Sequence, residues 1–83
     1  MGKLLEYSMD RDSLENQGKN IEQLLQKWVI DRNDYDVDIS INYTDQGIIK
    51  LKCNKDSDIL NVRILSESLL KFLGISYIFL SDK

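Results

Sequence analysis

Residues 35–53 read YDVDISINYTDQGIIKLKC, and the spacing of their apolar side chains decides the fold. Tyr35, Val37, Ile39, Ile41 and Tyr43 alternate with Asp36, Asp38, Ser40, Asn42 and Thr44, the period of a strand with one buried face. Asp45, Gln46 and Gly47 follow, and then a second strand from Ile48 to Cys53. A three-residue hairpin loop ends on a left-handed residue, a place that suits Gly47. That loop sets Tyr43 against Ile49, Ile41 against Leu51 and Ile39 against Cys53 on the oily face. On the polar face it sets Asn42 against Lys50 and Ser40 against Lys52. A slip of one residue would turn every apolar side chain to solvent.

Working outward, the segment before this ribbon reads as a helix. Leu14, Ile21, Leu24, Leu25, Trp28 and Val29 fall on one side at helical spacing. Asp12 or Ser13 is placed to cap it, and Gly18 weakens its first turn by about 1 kcal/mol relative to Ala. The firm helix is therefore expected from about Lys19, ending near Asn33-Asp34. Ahead of it Leu5, Tyr7 and Met9 alternate as in a short strand.

The segment Asp56–Gly74 has two readings. As a helix capped by Ser57, it aligns Ile59, Val62, Leu65, Leu69, Phe72 and Leu73 and stops at Gly74. Alternatively, Leu60, Val62 and Ile64 form a third strand and Ser66 caps a shorter helix. Ile75 to Ser81 closes the chain as a strand, with Ile75, Tyr77 and Phe79 on one face. The first reading gives the order βαββαβ, an α+β two-layer sandwich of the ferredoxin-like kind with both helices on one face of an antiparallel sheet. The second gives αβββαβ.

Size and composition limit what such a fold does. Eighty-three residues form one domain over 1–83, burying only about 60–65% of the unfolded surface, so support from self-association is expected. The 42% apolar and 30% charged fractions fit a folded chain rather than a disordered one. The N-terminal residues have no signal-peptide core, and no apolar run approaches the 20 or so residues a membrane span needs, so a cytoplasmic address is expected. A net charge of −3 disfavours bulk attraction to nucleic acid or anionic membrane.

No stretch carries a catalytic signature. Histidine is absent, and the single cysteine, Cys53, falls on the oily strand face, where a thiol behaves as a small hydrophobe. No pair of carboxylates is singled out, so the expectation is a non-enzyme without cofactor or metal. The acid-rich run Asp31, Asp34, Asp36, Asp38 resembles the start of a calcium loop. That loop needs Gly at its sixth position and Glu at its twelfth, which from Asp34 are Ile39 and Asp45. From Asn54 they are Ile59 and Leu65, so both matches fail. The acids read as a solvated strand face with turn residues, or as a surface for a basic protein partner.

Lys50, Lys52 and Lys55 form the one basic cluster, beside Ser40 and Asn42. A sheet that binds single strands also presents aromatics for stacking, and Tyr35 and Tyr43 fall on the other face. Cross-strand polar pairing is the plainer reading. Trp28 reads as a core anchor. The last strand is apolar on both faces although it lies at a sheet edge, which invites pairing with another chain. Tyr77, Ile78, Phe79 and Leu80 are therefore the expected self-association surface. The leading functional expectation is a small binding or regulatory protein acting through protein–protein contacts as a homo-oligomer. The alternative is a nucleic-acid-binding module that uses the three lysines.

Overall fold

The computed structural model describes residues 2–42 and 47–82. Its elements run β1 (Lys3–Met9), α1 (Arg11–Leu25) continuing into a π-helical turn (Gln26–Asp31), β2 (Val37–Asn42), β3 (Gly47–Cys53), a 3-10 turn (Asp56–Asp58), α2 (Ile59–Phe72) and β4 (Tyr77–Asp82). The four strands form one antiparallel sheet in the order β2-β3-β1-β4. An α+β fold of two helices on a four-stranded antiparallel sheet is thus in place, and residues 59–72 are helix rather than a third strand.

One face of the sheet is oily because each strand alternates. Leu5, Tyr7 and Met9 of β1, Ile49, Leu51 and Cys53 of β3, and Val37 of β2 are buried in one core with Leu14, Ile21, Leu25 and Val29. From α2 the core takes Val62, Leu69 and Leu70. Each such side chain, fully buried, contributes roughly 1.5–3 kcal/mol of transfer free energy. Ile39 and Ile41 on the edge strand β2 are partly buried against this core. The opposite face carries Asp38, Ser40, Asn42, Ile48, Lys50, Lys52, Leu4, Glu6, Ser8 and Ile78.

The hairpin forms in a different register from the one its loop chemistry predicts. Ile41 stands opposite Ile49 and Ile39 opposite Leu51, and Cys53 pairs with Val37, a shift of two residues. The shift is even, so the same residues stay on the oily face. Gly47 is not a left-handed loop residue. It is the first residue of β3, paired with Met9 of β1, and a Cβ there would sit 2.9 Å from the Met9 carbonyl oxygen and 3.2 Å from Leu14 Cδ2. Close approach of β1 and α1, not turn geometry, is what requires glycine there. The expected pairings of Tyr43 and Thr44, and the acid Asp45, lie outside the described residues.

Both helix starts also differ. The N-cap of α1 is Asp10, whose Oδ2 accepts from the Ser13 backbone N–H at 3.2 Å, so neither Asp12 nor Ser13 caps it. α1 runs unbroken through Gly18, which is buried on the core side. Ser57 does not cap α2, which is entered through the 3-10 turn without a side-chain cap. Its other end follows the sequence closely. Gly74 has φ +71°, its N–H bonds the Lys71 carbonyl, and the Ile75 N–H bonds the Leu70 carbonyl, both at 3.0 Å. This is a Schellman exit with Ile75 buried as its apolar anchor, so Ile75 belongs to the helix exit and β4 begins at Tyr77.

Candidate functional site

One polar cluster stands out where α2 crosses the β1–β4 boundary. The Glu67 carboxylate accepts from Tyr7 Oη (3.1 Å) on β1, from Tyr77 Oη (2.8 Å) on β4 and from Arg63 Nε (2.7 Å) one turn back on α2. The i, i+4 spacing puts Arg63 and Glu67 side by side. The Arg63 guanidinium lies 3.8 Å from the Phe79 ring centroid, over the aromatic face. Tyr7 packs edge-on to Tyr77 at 5.6 Å and tilted against Phe79 at 5.4 Å. Sequence patterning puts Tyr7 on a strand that alternates and Tyr77 with Phe79 on one face of the last strand. Nothing in it marks Glu67 or Arg63, because the network needs the helix seated over two strands that are far apart in sequence.

The electrostatics of this cluster argue for a structural tie. Burial pushes the Glu67 carboxyl up, but hydrogen bonds from Arg63, Tyr77 and Tyr7 outweigh it and hold it below the ordinary carboxylate range. Burial and the Glu67 charge raise both Tyr7 and Tyr77. A carboxylate held ionised beside phenols held protonated is a poor proton shuttle at neutral pH, where an acid–base catalyst needs the opposite shifts. Cys53 is buried, its thiol pushed up by burial, with Sγ 3.2 Å from the Lys55 carbonyl oxygen. Among the described residues no group of three or more His, Cys, Asp or Glu is arranged to hold a metal ion.

The four expected self-association residues are together on β4, an edge strand that among the described residues pairs with β1 alone. Tyr77 and Phe79 point to the core side and are partly buried, whereas Ile78 is 67% and Leu80 44% exposed. Leu80 is the extra residue of a bulge, since Tyr7 pairs with Phe79 and Glu6 with Ser81. On the flank of α2 above this edge, Leu60 (64%) and Ile64 (55%) are also exposed. With Arg63, Glu67, Ser68 and Lys71 they line a shallow groove of about 270 Å³.

The other nominated residues are dispersed. Lys52 faces Asp38 and Leu4 across the neighbouring strands, and Lys50 faces Ser40 and Glu6, while Lys55 lies beyond the end of β3. Asp31, Asp34, Asp36 and Asp38 are all exposed, and two of them serve local structure. Asp34 takes φ +57° to end the π-helical turn, and Asp36 Oδ1 accepts from Asn54 Nδ2 at 2.9 Å. Trp28 is only partly buried, its ring 6.1 Å from Phe72 and 5.6 Å from the Arg32 guanidinium. Phe72 itself is 75% exposed, so it leaves the buried stripe expected for α2. Leu70, outside that stripe, is buried beside Leu69 instead, because the 100° turn per residue carries Phe72 round to the flank that faces Trp28. No helix among the described residues is long and apolar enough to cross a membrane. Comparison with protein-family models and with curated proteins finds no match to this chain.

Proposed function

We propose that this chain is a small non-enzymatic binding domain that works through protein–protein contacts and associates with itself along the β4 edge. The observation that carries this reading is the pairing of an open strand edge with exposed apolar side chains, Ile78 and Leu80 on the strand and Leu60 and Ile64 on the helix above it. An edge left open in this way is a template for a further strand, and apolar side chains beside it add burial to the backbone hydrogen bonds. We read the element order, with β1 and β3 central and each helix bridging two strands, as the ferredoxin-like arrangement, which leaves β2 and β4 as the two edges. Of these, β2 presents Asp38, Ser40 and Asn42 on its outer face, and β4 presents the apolar side chains.

A nucleic-acid role for Lys50, Lys52 and Lys55 has less support. Glu6 and Asp38 stand across from the first two lysines, and among the described residues the outer sheet face carries no aromatic side chain for a base to stack on. Charge reversal at the three lysines abolishes salt-sensitive oligonucleotide binding only if that role is real. For the leading reading, sedimentation velocity over a wide concentration range is decisive. The wild type associates, and Ile78→Lys, which places a charge on the edge strand, shifts it to monomer with an unchanged circular dichroism spectrum. A wild type that stays monomeric throughout refutes the reading.

A further inference from the structure

The helix layer carries an apolar surface of its own, on the flank of α2 turned away from Arg63 and Glu67. Phe72, in the last turn of α2, is 75% exposed, the most of any large apolar side chain among the described residues. Its ring stands 6.1 Å from that of Trp28, tilted by 34°, and the Arg32 guanidinium lies 5.6 Å from the Trp28 centroid. Leu24, one turn before Trp28, and Leu65, two turns before Phe72, continue the two flanks and are partly buried. We propose that this surface docks an acidic amphipathic helix of a partner protein. The partner seats apolar side chains on Trp28 and Phe72 and sets carboxylates beside Arg32 and Lys71.

The backbone fixes both rings before any partner arrives. Trp28 lies in the π-helical turn Gln26–Asp31, where the Arg32 N–H bonds the Lys27 carbonyl five residues back at 3.1 Å. Such turns are rare and recur at functional sites. The Asn33 side-chain amide donates to the Trp28 carbonyl and closes the turn. Phe72 is held by the Schellman exit behind it, with Gly74 left-handed and Ile75 buried. Neither ring sits on a loop, so docking has little backbone left to order, and its entropic cost is low. Trp and Arg are also the residue types that most often dominate binding energy at an interface.

Charge selects the partner. Within four residues of either ring the chain carries Lys27, Arg32 and Lys71 against the single acid Asp31, a net of +2 on a molecule of net −3. The C-termini of the two helices each contribute about half a negative charge, which leaves the surface cationic. All three cations are exposed, and among the described residues no ion pair engages any of them. A second copy docked patch to patch would bring like charge against like, which disfavours a symmetric dimer here. A single-stranded nucleic acid needs cations in a run along its backbone, and only three stand here. Leu24 and Leu65 offer the aliphatic contact that suits the anchors of a helix at i, i+4 and i+7.

This surface is separate from the β4 edge, so it stands whether or not the chain self-associates. The test uses the full chain and a panel of capped helical peptides with Leu or Phe at the i, i+4 and i+7 positions and either Glu or Lys on the flanks. Trp28 is the one tryptophan of the chain, so its fluorescence reports the site directly. Acidic peptides move its emission to the blue, and raising salt from about 50 to about 500 mM weakens them about tenfold. Phe72→Ala, at an exposed position, lowers affinity about tenfold or more. Arg32→Glu combined with Lys71→Glu turns the preference from acidic to basic peptides. Ile78→Lys, on the edge strand, leaves binding unchanged. Circular dichroism confirms that each variant is folded. The proposal is overturned if no acidic peptide moves the Trp28 emission, if basic peptides bind the wild type equally well, or if Phe72→Ala binds like the wild type. It is overturned too if a single-stranded oligonucleotide moves the emission where the acidic peptides do not.

Discussion

Replacing Glu67 with Ala removes the acceptor shared by Tyr7, Tyr77 and Arg63. Tyr7 is 0% exposed, so its hydroxyl cannot turn to water and is left buried without a partner. An orphaned buried polar group costs about 1–3 kcal/mol. The Tyr77 and Arg63 ends are partly solvated and lose less, about 0.5–1 kcal/mol each. The sum is about 2–5 kcal/mol, a large share of the 5–15 kcal/mol that holds a typical domain. In a domain of this size each kcal/mol lowers Tm by roughly 4–8 °C, so the expected loss is about 8–40 °C. Urea titration of Glu67→Ala, Tyr7→Phe and the double variant isolates the Tyr7–Glu67 bond. Removing the Tyr7 hydroxyl first makes the Glu67 change cheaper by about 1–2 kcal/mol. Strict additivity of the two single changes would refute the claim that this buried hydrogen bond ties α2 to the sheet.

The same cluster sets the pH response. Glu67 is held below its ordinary value of 4.5, so its contribution is fully present above that pH and is lost as pH falls through the lower folded-state value. Tyr7 and Tyr77 are raised above 10.0, so their contribution is present below that pH and declines as pH rises past it. The gap in Tm between wild type and Glu67→Ala should therefore narrow in acid below about pH 4.

Further outcomes follow from single sites. Gly74→Ala forces a side chain into φ +71°, and costs about 1–2 kcal/mol by urea titration although nothing crowds the site. The Ser66 hydroxyl is buried on α2 with no hydrogen-bond partner among the described residues, so Ser66→Ala should be neutral or stabilise by up to about 1 kcal/mol in the same assay. The Cys53 thiol, buried and held protonated, should resist a disulfide reagent in the native state and react promptly in denaturant, as read by absorbance.

Much of this molecule is legible from the chain itself. Alternation at Leu5, Tyr7 and Met9 and at Val37, Ile39 and Ile41 marks strands and their inner faces, because side-chain direction along a strand depends only on parity. The stripe Leu14, Ile21, Leu25, Val29 marks the buried side of α1, and Gly74 marks the end of α2, since left-handed backbone favours glycine. These are local properties, decided within a few residues.

The tertiary structure decided what parity and propensity leave open. A two-residue slip of the hairpin keeps every face unchanged, so pattern alone does not choose between Leu51 and Ile49 as the partner of Ile41. β3 must satisfy β1 as well as β2, and the seat of Gly47 against Met9 and Leu14 belongs to that second pairing. Residues 59–72 are apolar enough for either strand or helix, and become helix where Val62, Leu69 and Leu70 meet the core. Glu67 gains its role only when three elements converge on one carboxylate, and local spacing shows only its i, i+4 neighbour Arg63, not the two tyrosines.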